Sequence, residues 1–259
     1  MPERIGFRTA GYRRVGIEDA LRSIASVGYD GVEVCLEHPD CIPEELTPAR
    51  CDRLVALTTE LGLEVASVSY HGDGDELELR WRRALRAVAL TLELGADVLV
   101  VNSPRPGPGA PEDLEQQFRG RLRAQLAAAE EVGVTLAVEP EPGLLISDCS
   151  EMQGLIEWAQ SPLLKVNLDV GHAFLTEPDV PGAIAGLAPH LAHTHFEDMP
   201  RGEHRHLVPG EGDMDLPAVL AALRGAGYAG YLTVDLFDIA DAPEQAARAA
   251  LERMRKLVS

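Results

Sequence analysis

The chain has 259 residues, 46% of them hydrophobic, which is enough to bury one large core. Acidic residues outnumber basic ones by 42 to 23, and the formal net charge of −19 argues against nucleic acid or an anionic membrane as a partner. No run of about 18 apolar residues and no signal-peptide pattern occurs. We therefore expect a cytoplasmic protein with reduced cysteines, and we leave its oligomeric state open, a homo-oligomer included.

Short apolar runs rich in Val, Ile and Leu alternate with helical patterns along the whole chain. The runs begin near Ile5, Val32, Val65, Val98, Leu136, Val166, Ala192 and Leu232. The helical patterns cover residues 17–27, 50–61, 76–94, 114–132, 151–160, 216–225 and 243–257. About eight strand–helix units predict a single (β/α)8 TIM barrel over residues 1–259. A doubly wound sheet is disfavoured, because no Gly-x-Gly-x-x-Gly follows the first run.

The last four runs each end on a side chain that can bind a metal. These side chains are Glu139, Asp169, His195 and Asp235. The carboxyl ends of barrel strands meet on one face, so the four groups should converge there. Carboxylate oxygen and imidazole nitrogen suit Mn, Mg, Co or Zn. The sequence therefore predicts one divalent metal ion and chemistry on a small, sugar-like molecule.

Several neighbours of these residues are candidates to line the pocket. His172 follows Asp169 across a glycine, and we predict that it binds substrate or supports a ligand. Glu141 either reaches the site or faces solvent. His193 lies two residues before His195 and should face the barrel interior, while Asp198 either caps the following loop or orients an imidazole.

Three earlier strands also end on polar residues. Glu33, His71 and Asn102 stand at the predicted mouths of the second, third and fourth strands and can contact substrate. Each has a structural alternative: Glu33 can pair with Arg8, and His71 can cap the following helix.

The motifs of the second half resemble those of the xylose-isomerase-like TIM-barrel superfamily, in particular its sugar phosphate isomerase and epimerase branch. They are Val-Glu-Pro at 138–140, Asp-Val-Gly-His at 169–172, His-Thr-His-Phe-Glu-Asp at 193–198, Pro-Gly-Glu-Gly-Asp at 209–213 and Thr-Val-Asp-Leu at 233–236. The resemblance implies a metal held by Glu139, Asp169, His195 and Asp235. It also implies that Glu139 and Asp235 act as the acid/base pair, through a metal-stabilised enediolate.

One departure from that pattern concerns Asp235, since the resembling enzymes usually have glutamate there. The shorter side chain withdraws its carboxylate, so either the strand sits closer, a water completes the site, or Asp235 is not the second base. The resemblance further implies that Arg201 contacts a substrate hydroxyl or phosphate, with a surface arginine on a mobile loop as the alternative. The histidine-rich loop ahead of Gly-Glu-Gly can be a lid whose His206 contacts sugar hydroxyls.

The segment from His204 to Asp213 resembles, in the same superfamily, a stretch of endonuclease IV type enzymes that supplies ligands to an extra zinc. His172, His204 and His206 can thus form a second metal site, and phosphoester hydrolysis becomes an alternative function. Two further alternatives are dehydration of a keto-cyclitol or dehydroshikimate-like acid, which shares the first proton abstraction, and a noncatalytic ligand-binding barrel. The function we predict is a metal-dependent isomerase or epimerase of a sugar, sugar phosphate or related hydroxy-ketone.

Overall fold

The predicted barrel is confirmed by the computed structural model, which describes residues 3–107, 110 and 112–259. In these residues eight parallel strands pair in chain order, and the last pairs with the first to close the sheet. The strands are β1 Arg4–Arg8, β2 Gly31–Cys35, β3 Glu64–Tyr70, β4 Val98–Asn102, β5 Thr135–Glu139, β6 Leu164–Asp169, β7 Leu191–His195 and β8 Tyr231–Val234.

Helices surround the barrel, and every helical pattern in the sequence corresponds to one of them. They are α1 Ile17–Val27, α2 Pro48–Leu61, α3 Leu77–Glu93, α4 Leu114–Val132, α5 Cys149–Ala159, α6 Val170–Thr176, α7 Val180–Leu187, α8 Leu216–Gly225 and α9 Pro243–Val258. The short helices α6 and α7, between β6 and β7, are additions to the predicted set. Helix α6 starts at once after β6, because the Asp169 carboxylate accepts the backbone N–H of His172 at 2.7 Å.

Alternation along the strands separates an apolar layer from a polar one. Residues such as Val32, Val34, Leu99 and Leu136 are buried with the helices in the hydrophobic core. The side chains between them face the barrel axis, and many are polar and at most 2% exposed. This interior group comprises Glu33, Ser67, Asn167, His193 and Thr233. The barrel is therefore filled largely by groups that need hydrogen-bond partners, instead of by the branched apolar residues usual in this fold.

None of the helices in the described part of the chain combines the length and the apolar composition needed to span a lipid bilayer.

The long loop between β7 and α8 is tied down by one buried carboxylate. Asp198, 1% exposed, accepts the backbone N–H groups of Met199 and Gly210 at 2.8 Å and of Met214 at 3.2 Å. A Cβ on Gly212 would lie 2.4 Å from the Asp198 carboxylate and 2.6 Å from the Met199 nitrogen, so only glycine fits there. Asp198 thus caps the loop, which is one of the two roles predicted for it.

Replacing Asp198 by alanine should loosen this loop and lower the free energy of unfolding by about 3 kcal/mol, because the backbone N–H groups of three loop residues lose a charged acceptor. Urea denaturation followed by circular dichroism measures the change. Asp213→Ala is the control, since the exposed Asp213 accepts a single backbone N–H, that of Arg201. Equal stability losses in the two variants would contradict a special role for Asp198.

Candidate active site

The four predicted metal ligands meet at the carboxyl end of the barrel. Glu139, Asp169 and His195 end β5, β6 and β7, Asp235 directly follows β8, and all four are at most 1% exposed. Around the Nδ1 atom of His195 lie Glu139 Oε2 at 3.2 Å, Asp235 Oδ2 at 3.7 Å and Asp169 Oδ2 at 4.0 Å. The convergence expected from the strand ends is therefore present.

The chemistry of this cluster fits a divalent cation. Ligand atoms of Glu139, Asp169 and His195 all lie within 4.8 Å of one another. Within the described residues, Asp169 Oδ2 and Asp235 Oδ1 are buried and have no hydrogen-bond partner. Buried, unpaired carboxylate oxygens are costly, and a hard or borderline cation would satisfy both of them.

The second ring nitrogen of His195 is held by a carboxylate on β2. Its Nε2 lies 3.1 Å from both Glu33 oxygens, so a proton there leaves Nδ1 free to bind a metal. Glu33 also accepts the Ser67 hydroxyl at 2.6 Å and contacts His193 Nε2 at 3.2 Å. His193 faces the interior as predicted.

The opposite charges of Glu33 and His195 stabilise each other. Burial acts to raise the pKa of Glu33, but the imidazoles of His195 and His193 outweigh it and hold that pKa well below its usual range. Burial acts to lower the pKa of His195, but the Glu33 and Glu139 carboxylates raise it well above its usual value. Because metal binding requires a neutral imidazole, an ion entering the cluster would displace a proton.

Arg8, at the end of β1, links Glu33 to Asp235. Its Nε is 3.0 Å from Glu33 Oε1, and its Nη1 is 2.9 Å from Asp235 Oδ2, so the pairing offered as the structural alternative for Glu33 is present. Burial acts to raise the pKa of Asp235, yet Arg8, with His195 and His206, lowers it. Asp235 therefore keeps one oxygen on Arg8, while its Oδ1 is unpartnered within the described residues.

A second group of donors stands beside the first. Ligand atoms of His172, His204 and His206 lie within 4.8 Å of one another, and the Nε2 atoms of His172 and His204 are 2.8 Å apart. Burial opposes protonation of His172, but the carboxylates of Asp169 and Glu139 prevail and raise its pKa to about 9. Burial and the neighbouring imidazoles lower the pKa of His204 to about 4.

One cavity joins the two groups. It is lined by four of the five predicted substrate-binding residues, His71, Glu141, His172 and His206, together with Glu139, Asp235 and His204. His71 Nε2 is 3.4 Å from Glu139 Oε2, and Glu141 Oε2 accepts the Asn102 amide at 2.9 Å. Glu141 therefore reaches the cavity and does not face bulk solvent, and His71 faces the cavity as well.

Arg201, the fifth predicted substrate contact, is placed elsewhere. Its guanidinium lies 4.8 Å from the centre of the Phe174 ring and lines a neighbouring depression with Asp179 and Asp213. Direct contact with a substrate in the main cavity would require this exposed loop to move, and a role for Arg201 stays a prediction.

Sequence reasoning named Arg8 only as a structural partner of Glu33 and did not connect it with Asp235. The signal for its place at the site was a charged residue at a strand end, the same signal that pointed to Glu139, Asp169, His195 and Asp235. Glu197 was not identified as a site residue. Glu197 is fully buried and accepts the Gly171 N–H at 2.8 Å, and a Cβ on Gly171 would lie 2.4 Å from its Oε1. Burial and the nearby Asp169 carboxylate raise the pKa of Glu197 well above its usual value.

The chain resembles known proteins in sequence and, for one of them, in fold. Fructoselysine 3-epimerase of Escherichia coli O157:H7 is 25% identical, over 98% of each chain. L-ribulose-5-phosphate 3-epimerase UlaE of Salmonella paratyphi C is 24% identical, over 85% of this chain and 81% of the relative. The apo crystal structure of 3-keto-D-glucoside 4-epimerase, YcjR, from E. coli superposes with a TM-score of 0.81 at 22% identity, over 98% and 99% of the two chains.

The family model described as xylose isomerase-like TIM barrel matches residues 21–257, which include the four predicted ligands and the group of His172, His204 and His206. The chain therefore belongs to the xylose isomerase-like TIM barrel family.

Proposed function

We propose that the protein is a divalent-metal-dependent epimerase or isomerase that acts on a ketose or a related hydroxy-ketone. Two 3-epimerases of sugar substrates are relatives over most of their length, as given above. The observation that carries the proposal is the pair of buried carboxylates, Glu139 and Asp235, which face one cavity and lie within 4 Å of the same imidazole nitrogen.

Epimerisation needs one group to remove a proton from the carbon beside a carbonyl and another to return it from a different direction. Glu139 on β5 and Asp235 after β8 are three strands apart around the barrel, so they reach the cavity from different sides. Carboxylates whose pKa values lie below the usual range are ionised at neutral pH and able to accept a proton. Glu139 is the first base in this scheme, and Asp235 is its counterpart.

Glu139, Asp169, His195 and Asp235 would hold the metal. A bound divalent cation would polarise the substrate's carbonyl and hydroxyl oxygens and stabilise the negative charge that develops when the proton leaves. Glu33 acts as a positioning residue, because it fixes the ring of His195. His172 and His71 both contact the Glu139 carboxylate, at 3.3 and 3.4 Å, and orient it toward the cavity.

Proton abstraction can be detected as exchange of substrate hydrogen with solvent. In D2O, the metal-loaded protein should incorporate deuterium beside the carbonyl of an accepted ketose, and Glu139→Gln should reduce the rate by about 10²-fold or more. NMR or mass spectrometry measures the exchange, and Glu157→Gln, at an exposed position of α5, is the matched control. Undiminished exchange in Glu139→Gln would refute the role of Glu139, and exchange accompanied by loss of water would identify a dehydratase.

The supporting role of Glu33 predicts a change in metal affinity. Glu33→Gln removes the charge that orients His195, so the affinity for Mn²⁺ should fall by about 10–100-fold. Isothermal titration calorimetry measures the affinity, ¹⁵N NMR of the histidine side chains reports the tautomer of His195, and Glu157→Gln again serves as control. An unchanged affinity together with an unchanged tautomer would show that Glu33 has no such role.

A second candidate function, phosphoester hydrolysis, is favoured by the group of His172, His204 and His206, which offers donors for a further ion. Under the epimerase proposal, protein purified without chelator should contain about one ion per chain by elemental analysis, and His206→Ala should leave that number unchanged. Two or three ions, fewer in His206→Ala, together with hydrolysis of bis(p-nitrophenyl) phosphate, would favour the hydrolase.

A further inference from the structure

Large apolar side chains are exposed on two neighbouring helices of the outer wall. Within the described residues, the large apolar side chains with the highest exposure are Leu85 at 45% and Leu92 at 44%, both on α3, and Val132 at 39%, at the end of α4. Helices α3 and α4 pack side by side. Single exposed apolar side chains are common, whereas a group of them on one face is typical of an interaction surface. We call the surface formed by these three residues and Ala89 the α3–α4 face.

An ion pair between the two helices indicates how they are aligned. Both helices follow strands of the parallel barrel and run in the same direction. Arg121 Nη2 on α4 lies 3.2 Å from Glu78 Oε1 on α3. Ala89 and Val132 each stand eleven residues after their own helix's member of this pair, about 16 Å along the helix from the α-helical rise per residue. They therefore lie at nearly the same height on the outer wall.

The apolar group is centred on that height. Leu85 precedes Ala89 by four residues and Leu92 follows it by three, so the two leucines lie on one side of α3 at similar distances from Ala89. A two-fold axis at this height, at right angles to the helices, therefore exchanges the positions of Leu85 and Leu92. The same axis leaves Val132 close to its own position. Such self-complementarity is what a two-fold homodimer interface requires.

The net charge of the face also favours a second copy of this chain. Helices α3 and α4 together carry seven arginines and five glutamates, whereas the whole chain has 23 basic and 42 acidic residues. Two chains that each carry a net charge of −19 repel each other at long range. The α3–α4 face does not share the acidic excess, so a second copy can approach it with less repulsion.

The charges on α3 favour an antiparallel orientation. Arg82 is exposed seven residues before Ala89, while Glu93 stands four residues after Ala89 and pairs with Arg86 at 2.8 Å. An antiparallel second copy would bring Arg82 within side-chain reach of the partner's Glu93. A parallel copy would instead place the arginine-rich halves of the two α3 helices at the same height.

Two glutamates oppose this arrangement. Glu130 and Glu131 precede Val132 on α4 and would approach their own counterparts near the axis. Both are exposed, so their long side chains can turn into solvent, where the repulsion is screened. The apolar contacts would lie between these glutamates and the arginines of α3.

The size of the face fits a reversible dimer. Helix α3 has 17 residues and α4 has 19, so each is about 25–30 Å long. Two such helices packed about 10 Å apart present roughly 500 Å² per copy. A total of about 1,000 Å² is at the lower limit of specific interfaces, so dissociation is expected at micromolar concentrations.

We propose that the α3–α4 face is a homodimer interface, on which a second copy of this chain packs with its helices antiparallel. Leu85 of one copy lies against the partner's Leu92, and Val132 lies against its counterpart. Ala89, at the axis, is small enough for the two α3 helices to approach closely. The mouths of the two barrels then point in opposite directions and both cavities stay open. This inference is independent of the proposed function.

Disulfide trapping tests the position of the axis. All four native cysteines are buried, so an introduced surface thiol is the exposed one. Oxidised full-length Ala89→Cys should form mainly a disulfide-linked dimer on a non-reducing gel, because position 89 meets its own copy at the axis. Ala56→Cys, at an exposed position of α2, is the matched control and should stay largely monomeric. A dimer yield in Ala89→Cys no higher than in the control would overturn the proposed geometry.

Sedimentation velocity over a concentration series tests the interface in solution. The wild type should show a monomer–dimer equilibrium with Kd on the order of 10 µM. Leu85→Glu/Leu92→Glu should raise Kd by about tenfold or more, because it brings carboxylates into an apolar contact. Ala221→Glu/Gln245→Glu adds the same charge at exposed positions of α8 and α9 and should leave Kd unchanged, with circular dichroism confirming that both variants are folded. A wild type that stays monomeric at concentrations well above this Kd, or equal effects of the two double variants, would refute the interface.

Discussion

The structure depends on the stabilisation of charge that is buried inside the barrel. Glu33, Glu139, Asp169 and Asp235 are each at most 1% exposed, and their side chains crowd around the imidazole of His195. Carboxylates in such surroundings are tolerated only when cations or hydrogen-bond donors compensate them. Arg8 and the histidines compensate part of this charge. Under the proposed function, a divalent cation would compensate the carboxylate oxygens that have no partner among the described residues.

This requirement explains why the backbone departs from regularity where it does. The register shifts between Val32 and Glu33 and between Val166 and Asn167, so the irregularities directly precede interior polar residues. Bulges near active sites change the direction of side chains. These two direct the Glu33 carboxylate and the Asn167 amide toward the polar interior of the barrel. Asn167 then donates to Glu139 at 2.7 Å. The loop fixed by Asp198 brings His204 and His206 over the same cavity. The site is therefore built by strands and loop together.

The fold and the convergence of the four strand-end side chains could be predicted because both depend on the order of the strands in the sequence. Alternating patterns imply a barrel, and the last residue of each strand must lie at its mouth. Glu33 and Arg8 were harder to assign, because their contacts cross strands that are distant in sequence and depend on side-chain reach. The same is true of Glu197, whose burial requires a glycine at position 171 on another segment. Arg201 differs from these residues, because its role as a substrate contact was predicted from a motif. Whether it reaches the cavity depends on the geometry of its loop, which the sequence does not determine.

Arg8 offers a physical reason for the aspartate at position 235, where resemblance to the family implies glutamate. Strands β1 and β8 are neighbours, with Phe7 paired to Val234, so the ends of these strands bring Arg8 and Asp235 side by side. A glutamate would advance its carboxylate by about 1.5 Å, the length of one carbon–carbon bond, and move it off the guanidinium. Arg8 would then be left buried with one of its two carboxylate partners, at a cost in free energy. The shorter acid and the arginine thus form one unit, in which Arg8 holds one oxygen of Asp235 and leaves the other without a partner among the described residues, available to the proposed cation.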